Sequence, residues 1–444
     1  MPGNITTADS QYALDIVKTI CTQAGPGMPG TPQERLRAVM IQKELEAHLG
    51  SENVALEEYT LAPWAMLSSY PISALLMLIA LLLNISIGRF TGVSPWLTAS
   101  AALVFSILAS LAIISEFILN KGRLDRFFKQ KQSVNVSGRL RKPGSGEVKR
   151  LLILSGHHDS APENTWLGLL GDLSRRLAPE GHLGRTAIPW LRRLGYVFFF
   201  LSTTWLLGYI ALLALSLIQM AGLIAPGITI ARSGTLGWIL LVYPIAPSII
   251  FALFFNRGRK NGGSVPGAAD NLSASATAAA LCRFLVANPA DIPADTEIRF
   301  ISFGGEESGL RGSRAYVRRH LDELRRLDVR LLNFETVTYP EITIFTSDMN
   351  GLVKNSPEMV KSVVAAAERA GVPYKLSSAF LGVGNDSGPF SQAGLKAATL
   401  FPFKTPQQMV AFYHQKWDRP EVLTIEPLLN VLKLTFEWVR CGGE

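Results

Sequence analysis

Five polar clusters punctuate the sequence, each setting imidazoles or carboxylates beside glycine or other small residues. Gly156-His157-His158-Asp159-Ser160 follows the apolar run Leu151–Ser155, and Gly304-Gly305-Glu306-Glu307-Ser308-Gly309 follows Ile298–Phe303. Pro266-Gly267-Ala268-Ala269-Asp270-Asn271 opens an alanine-rich stretch, Asn333-Phe334-Glu335 closes another apolar run, and Tyr413-His414 stands four residues before Asp418. Pooled, the clusters offer two imidazoles and three carboxylates as ligands, with one carboxylate to spare. That inventory suits a pair of borderline divalent ions such as Zn2+. Two ions a few ångströms apart need a carboxylate shared between them, separate His and carboxylate ligands on each, and a water. Adjacent Glu306 and Glu307 can divide the work, one turning to a metal while its neighbour holds the water as general base. Asp159, two residues beyond His157, is placed to orient that ring.

Such residues must be brought together by a scaffold, and the local signals describe one. Thr31-Pro32-Gln33-Glu34 reads as a capping box with proline at the first helical position, opening a helix to about His48. Val54–Leu61, Ser133–Leu140, Leu151–Ser155, Ile298–Phe303, Val329–Phe334, Ile342–Thr346 and Ala397–Phe401 read as strands. Helices are expected at Ser273–Ala287, near Ser313–Leu327, at Pro357–Ala370 and at Ile425–Arg440. Strands alternating with helices predict an α/β fold, a mostly parallel sheet flanked by helices on both faces. In such sheets sites form at the carboxyl ends of strands, where the clusters lie.

The 444 residues are too many for one ordinary soluble core, and only 18% are charged, with 48% hydrophobic. This excludes a disordered or collagen-like chain and points to the bilayer. No charge occurs between Glu58 and Arg89, Arg89 and Glu116, Arg193 and Arg232, or Arg232 and Arg257. Each stretch holds the roughly 20 residues a spanning helix needs. Four spans are therefore expected, at about 66–88, 96–118, 196–222 and 236–255, forming two inserted transmembrane hairpins, the last span kinked at Pro244 and Pro247.

The short loops inside each pair carry one arginine each, Arg89 and Arg232. The outer flanks carry Lys121, Arg123, Arg126, Lys129 and Lys131, then Arg192 and Arg193, then Arg257, Arg259 and Lys260. The positive-inside rule puts these flanks and the polar domain in the cytoplasm. The net charge of +8 fits anionic lipid, and no nucleic-acid-binding motif accompanies it. Cys21, Cys282 and Cys441 show no paired spacing, which argues against a disulfide framework. The expected organisation is a split catalytic domain at 1–64, 120–193 and 257–444, with hairpins at 65–119 and 194–256. The segment near 163–193 is expected to be interfacial.

The order of the five clusters resembles the M28 family of zinc metallopeptidases, which includes bacterial leucyl aminopeptidases. The matching stretches are His157-His158-Asp159, Gly267-Ala268-Ala269-Asp270-Asn271-Leu272-Ser273, Glu306-Glu307-Ser308-Gly309, Asn333-Phe334-Glu335 and His414, with Gly30-Thr31-Pro32 and Asn385-Asp386-Ser387-Gly388-Pro389-Phe390 beside them. The resemblance implies a zinc-exopeptidase-like fold holding two Zn2+ ions. His157 and Glu335 would hold one, Glu307 and His414 the other, Asp270 would bridge them, and Glu306 would be the general base. His158 occupies a variable place and is left out of the ligand set. Glu335 stands where aspartate is commoner, and Ala274 where glycine usually follows the serine. The reading that follows is a membrane-embedded exopeptidase, an aminopeptidase first, acting on peptide substrates near the bilayer surface. Two alternatives are a glutaminyl-cyclase-like acyltransferase, whose relatives use one zinc, and a non-catalytic membrane scaffold.

Overall fold

The computed structural model describes residues 3–87, 92–177, 189–224 and 263–444, apart from 381 and 406, together with 253, 255, 256 and 258. In chain order its first elements are α1 (Thr7–Gln23), α2 (Pro32–Leu49), β1 (Val54–Leu61), α3 (Ala65–Ser86), α4 (Pro95–Ile113), β2 (Lys131–Arg141), β3 (Arg150–His157), α5 (Thr165–Leu177) and α6 (Pro189–Ile224). There follow α7 (Ser273–Ala287), β4 (Thr296–Phe303), α8 (Arg311–Leu324), β5 (Asp328–Phe334), β6 (Ile342–Asp348), β7 (Val353–Lys354) and α9 (Pro357–Ala370). The last are β8 (Tyr374–Ser378), α10 (Ser387–Gln392), β9 (Lys396–Phe401), α11 (Gln407–Ala411) and α12 (Ile425–Arg440). The chain divides into two compact units: Met1–Pro63, Lys129–Arg192 and Arg257–Glu444 make the first, Trp64–Phe128 and Arg193–Asn256 the second.

The first unit is built on one sheet with strand order β1-β2-β4-β3-β5-β9-β6-β7, and β8 pairs with β6. The centre, β4-β3-β5-β9, is parallel, while β1, β2 and β7 add antiparallel pairs at the two sides. The run Leu151–Leu154 is apolar at every position because both faces of β3 are covered. Leu152 and Leu154 enter the core shared with α1, α2, α7, α9 and α12, whereas Leu151 and Ile153 enter the opposite core under α8 and α10. The parallel register sets His157 beside Phe303, and Ser155 beside both Ile301 and Asn333. The segments that leave β3, β4 and β5 therefore emerge at the same edge of the sheet.

The second unit contains α3, α4 and α6. Ala65–Ser86 and Pro95–Ile118 are, among the described residues, the helices long and apolar enough to cross a bilayer. The 22 residues of α3 rise about 33 Å at roughly 1.5 Å each, which matches a hydrocarbon core of about 30 Å. Asn84 Nδ2 donates to Ser216 Oγ at 3.0 Å, and Ser106 Oγ lies 2.8 Å from the same hydroxyl, so one polar knot joins all three helices. Ala99, Ala102 and Ala109 bring α4 close to its neighbours, and Ser73 Oγ reaches the Ala109 carbonyl at 2.6 Å. The expected third span, 196–222, falls within α6. The expected fourth span, with Pro244 and Pro247, lies almost wholly outside the described residues, as do Arg89 and Arg232.

Candidate metal centre

His157 is the last residue of β3, and its Nε2 is the point on which the cluster converges. It lies 3.3 Å from Asp270 Oδ1 and 3.6 Å from both Glu335 Oε1 and Glu306 Oε2. The other oxygen of Asp270, Oδ2, is 3.0 Å from His414 Nε2, which is itself 3.4 Å from Glu307 Oε1. Two ligand-type triads result, His157–Asp270–Glu335 and Asp270–Glu307–His414, with Asp270 common to both. A further grouping, His157–Glu306–Glu307, overlaps the first two. All six side chains named from the sequence as ligands or base are thus brought together. His158 is turned elsewhere: it is fully buried with Nδ1 2.9 Å from Ser302 Oγ, and it belongs to none of these groups.

Each ligand segment is fastened through its backbone by a buried side chain. Asp159 sits with Oδ1 3.3 Å from His157 Nδ1, as its spacing predicts. It does more, because its two oxygens accept the backbone N–H groups of Glu306 (3.2 Å) and Glu307 (2.9 Å). Asp418 accepts from the N–H groups of Ala269 (2.7 Å) and Asp270 (3.1 Å). Asn271 brackets Glu335, donating to the Phe334 carbonyl at 3.1 Å and accepting from Thr336 N at 3.0 Å. The peptide joining Asp270 to Asn271 is cis.

Glu34 was expected to close a capping box on its own helix, and only half of that box forms. Thr31 Oγ1 accepts from Glu34 N at 3.3 Å, but the Glu34 carboxylate reaches outward to Gly30 N (2.6 Å), Ser133 Oγ (2.7 Å) and Gly305 N (3.1 Å). It so fixes the turn that presents Glu306. Gly305 has φ +60°, and a Cβ there would meet Leu61 and the Tyr59 hydroxyl at 2.5 and 2.7 Å. The guanidinium of Arg37, wholly buried, gathers three loop carbonyls, those of Gly25, His158 and Pro266. Ala274, where glycine was expected, is accommodated because Gly156 opposite has no side chain; a Cβ on Gly156 would fall 2.5 Å from that of Ala274.

The electrostatics describe a site with more acid than it can balance. Burial pushes Glu306 well above the usual carboxylate range and Glu335 up to about 8, each opposed by His157. Glu307 is also raised by burial, against the pull of His414. Asp386, buried nearby, is pushed by burial up to about 7, against the pull of His157 and Ser313. Burial alone would lower the two imidazoles. Glu306, Asp159 and Glu335 instead carry His157 well above its ordinary value, and Glu307 with Asp270 takes His414 up to about 10. Asp270, despite its burial, is held below the usual range by both histidines.

Glu335 Oε2 is buried without a hydrogen-bond partner, and His157 Nε2, Asp270 Oδ2 and Glu307 Oε1 are buried with other members of the cluster beside them at 3.0–3.6 Å. Orphaned polar atoms of this kind are costly unless something charged sits among them. Nitrogen and oxygen donors in two triads sharing a carboxylate fit divalent zinc.

Comparison with known proteins agrees with this chemistry. Residues 256–439 match Peptidase family M28. Aminopeptidase YwaD from Bacillus subtilis (strain 168) is 34% identical over 166 residues, which cover 37% of this chain and 35% of that protein. The alignment thus spans about a third of the length of that relative. Among solved structures, a zinc aminopeptidase from Bacillus subtilis superposes with a TM-score of 0.50 at 15% identity, covering 96% of this chain and 94% of the other. An Acidobacteriales bacterium glutaminyl cyclase superposes at 0.52 with 11% identity, covering 100% and 96%. At these identities the superpositions establish the fold, a mixed α/β arrangement around a mostly parallel sheet.

Proposed function

We propose that this chain is a membrane-embedded di-zinc exopeptidase, an aminopeptidase, whose peptidase unit faces the cytoplasm. The observation that carries the metal count is the pair of ligand triads sharing Asp270. His157 and Glu335 would hold one zinc, Glu307 and His414 the other, and Asp270 both. Bound zinc polarises a scissile carbonyl and generates a nucleophile from water at neutral pH.

The remaining work falls to the chain. Glu306 stands 3.6 Å from His157 and is raised in basicity by its burial, so it takes a proton from the attacking water and passes it to the leaving amine. Asp159 keeps the His157 ring and the Glu306–Glu307 backbone in register. The membrane reading is supported by the length and apolarity of α3 and of Pro95–Ile118, and by the basic flanks Lys121–Lys131.

A cyclase is the second reading, favoured by the superposition on a glutaminyl cyclase; the full set of two triads weighs against it. The test is turnover by the purified chain on aminoacyl peptides, N-blocked peptides and a peptide with amino-terminal glutamine, with and without chelator. Release of the first residue from unblocked peptides, lost on chelation and restored by zinc, supports the aminopeptidase. Cyclisation without hydrolysis gives the site to the second reading. Bound zinc with no turnover on any substrate refutes both.

A further inference from the structure

Helix α5 is amphipathic with its faces reversed relative to its own unit. At about 100° per residue, Trp166, Leu169, Leu170 and Leu173 share one face, while Gly168, Gly171 and Arg175 share the opposite one, flanked by Leu167 and Asp172. The glycine and charged face is the one turned inward. Gly168 and Gly171 are buried, whereas Leu169 and Leu173 are 51% and 38% exposed and join neither apolar core of the unit.

The inward face is bound, point by point, to the segment that carries His414. Asn164, whose Oδ1 caps the helix by accepting from Trp166 N and Leu167 N, donates its own N–H to the His414 carbonyl at 2.9 Å. Gly171 is so close to Gln415 that a Cβ would lie 1.8 Å from its Oε1. Asp172 accepts from Trp417 Nε1 at 3.1 Å and pairs with Lys416 at 3.0 Å. Arg175 stacks over the Trp417 ring at 4.0 Å and donates to the Ala411 carbonyl at 3.2 Å. His414 itself needs this support, because its backbone sits at φ +51°, a conformation that a non-glycine residue holds only when its surroundings impose it.

We infer that the outward face of α5 lies on an anionic bilayer surface, and that this contact steadies the His414 segment packed on its other side. The inference rests on the membrane reading above. The occupant is chosen by charge and by chain continuity. Leaving out the inward-bound Asp172 and Arg175, the sequence between Thr165 and Arg193 holds Arg176, Arg185, Arg192 and Arg193 against Glu180, and it runs on into the long apolar helix α6. A leucine-rich face edged by Arg176, in a segment whose remaining charges are mostly arginine, suits the headgroup boundary of anionic lipid.

The test uses the full chain in vesicles of phosphatidylcholine and phosphatidylglycerol, with the three native cysteines replaced. A fluorophore is placed at Leu169→Cys or, as control, at Leu108→Cys on the outer face of α4. Brominated lipids should quench both, with Leu169→Cys quenched best by bromine near the headgroup and less in phosphatidylcholine alone. Quenching at Leu108→Cys but not at Leu169→Cys overturns the inference and shows the face to be covered by protein. Quenching at neither position removes the membrane reading and the inference with it. The coupling is read from zinc release to a chelator. The double variant Leu169→Asn, Leu173→Asn should speed release in vesicles by about tenfold, and an unchanged rate refutes the coupling.

Discussion

Replacing Asp418 with alanine isolates the contribution of a residue that ligates nothing. Its carboxylate receives two buried backbone donors, Ala269 N at 2.7 Å and Asp270 N at 3.1 Å, and is wholly inaccessible. Burial pushes the Asp418 carboxyl up to about 8, so near neutral pH it is largely an uncharged acceptor; at about 0.5–1.5 kcal/mol per hydrogen bond, about 1–3 kcal/mol of restraint on the Asp270 loop is at stake. Part is recovered when the loop relaxes and water enters, and the backbone contact from Ala268 N to the Asp418 carbonyl at 3.3 Å survives. Losing a partner that orients a metal ligand typically costs about 10–100-fold in affinity, equivalent to about 1.4–2.7 kcal/mol. Asp418→Ala should therefore weaken zinc binding by that factor, measured by competition with a chromophoric chelator, with the far-ultraviolet circular dichroism unchanged. Asp418→Asn should fall between, because one oxygen still accepts from Ala269 N while the amide nitrogen faces a second donor. Wild-type zinc affinity in Asp418→Ala would refute the idea that this carboxylate holds Asp270 in place.

Glu306→Gln should cut turnover by about 10²-fold or more while zinc content stays at the wild-type level, whereas Glu307→Ala should lose metal and activity together; elemental analysis beside kinetics distinguishes the two. In intact cells an impermeant thiol reagent should label Ser233→Cys but not the exposed Lys361→Cys, and the reverse pattern would place the peptidase unit outside. Glu57 links pH to stability. Burial would raise its carboxylate, but His320 at 2.8 Å and Arg319 at 3.1 Å hold it below its ordinary value. A lowered folded value stabilises the fold above the unfolded pKa of about 4.3, and that stabilisation is lost as pH falls through the folded value. Glu57→Gln should lower the thermal midpoint at pH 7 and converge with wild type in acid; a gap that does not change with pH contradicts the assignment.

What could be read in advance follows from the range of each interaction. Leu151–Leu154 is apolar at every position and Ile298–Phe303 is interrupted only by Arg299 and Ser302, so their strands, and the polar clusters just beyond them, stand out without knowledge of their neighbours. Helix α1 was not anticipated although Ala13, Ile16, Val17 and Ile20 keep helical spacing on its buried face, because threonine, cysteine and glutamine dilute the pattern. The partners of Glu34, Arg37, Asn271 and Asp418 are hidden for another reason. Each side chain reaches a backbone group far along the sequence, as Glu34 reaches Gly305, and that group becomes a neighbour only when the sheet forms. Glu34 shows the hazard directly: a local motif accounts for its position, and a distant turn takes most of its hydrogen-bonding capacity. The same holds for α5, whose pattern shows an apolar stripe without showing which way the stripe points.

The discontinuity of the first unit bears on how the protein is made. Strand β3 ends at His157, yet both strands that flank it, β4 and β5, are encoded beyond Thr296, on the far side of α6. A ribosome adding about 5–20 residues per second takes roughly 13 to 50 s to travel from His157 to His414. Throughout the first part of that interval a strand with the apolar run Leu151–Leu154 has neither edge paired, the condition under which nascent chains associate with one another. Early folding must therefore shelter β3 until its flanking strands arrive. The Asp270–Glu307–His414 group stays incomplete until the end of that interval, when His414 is added.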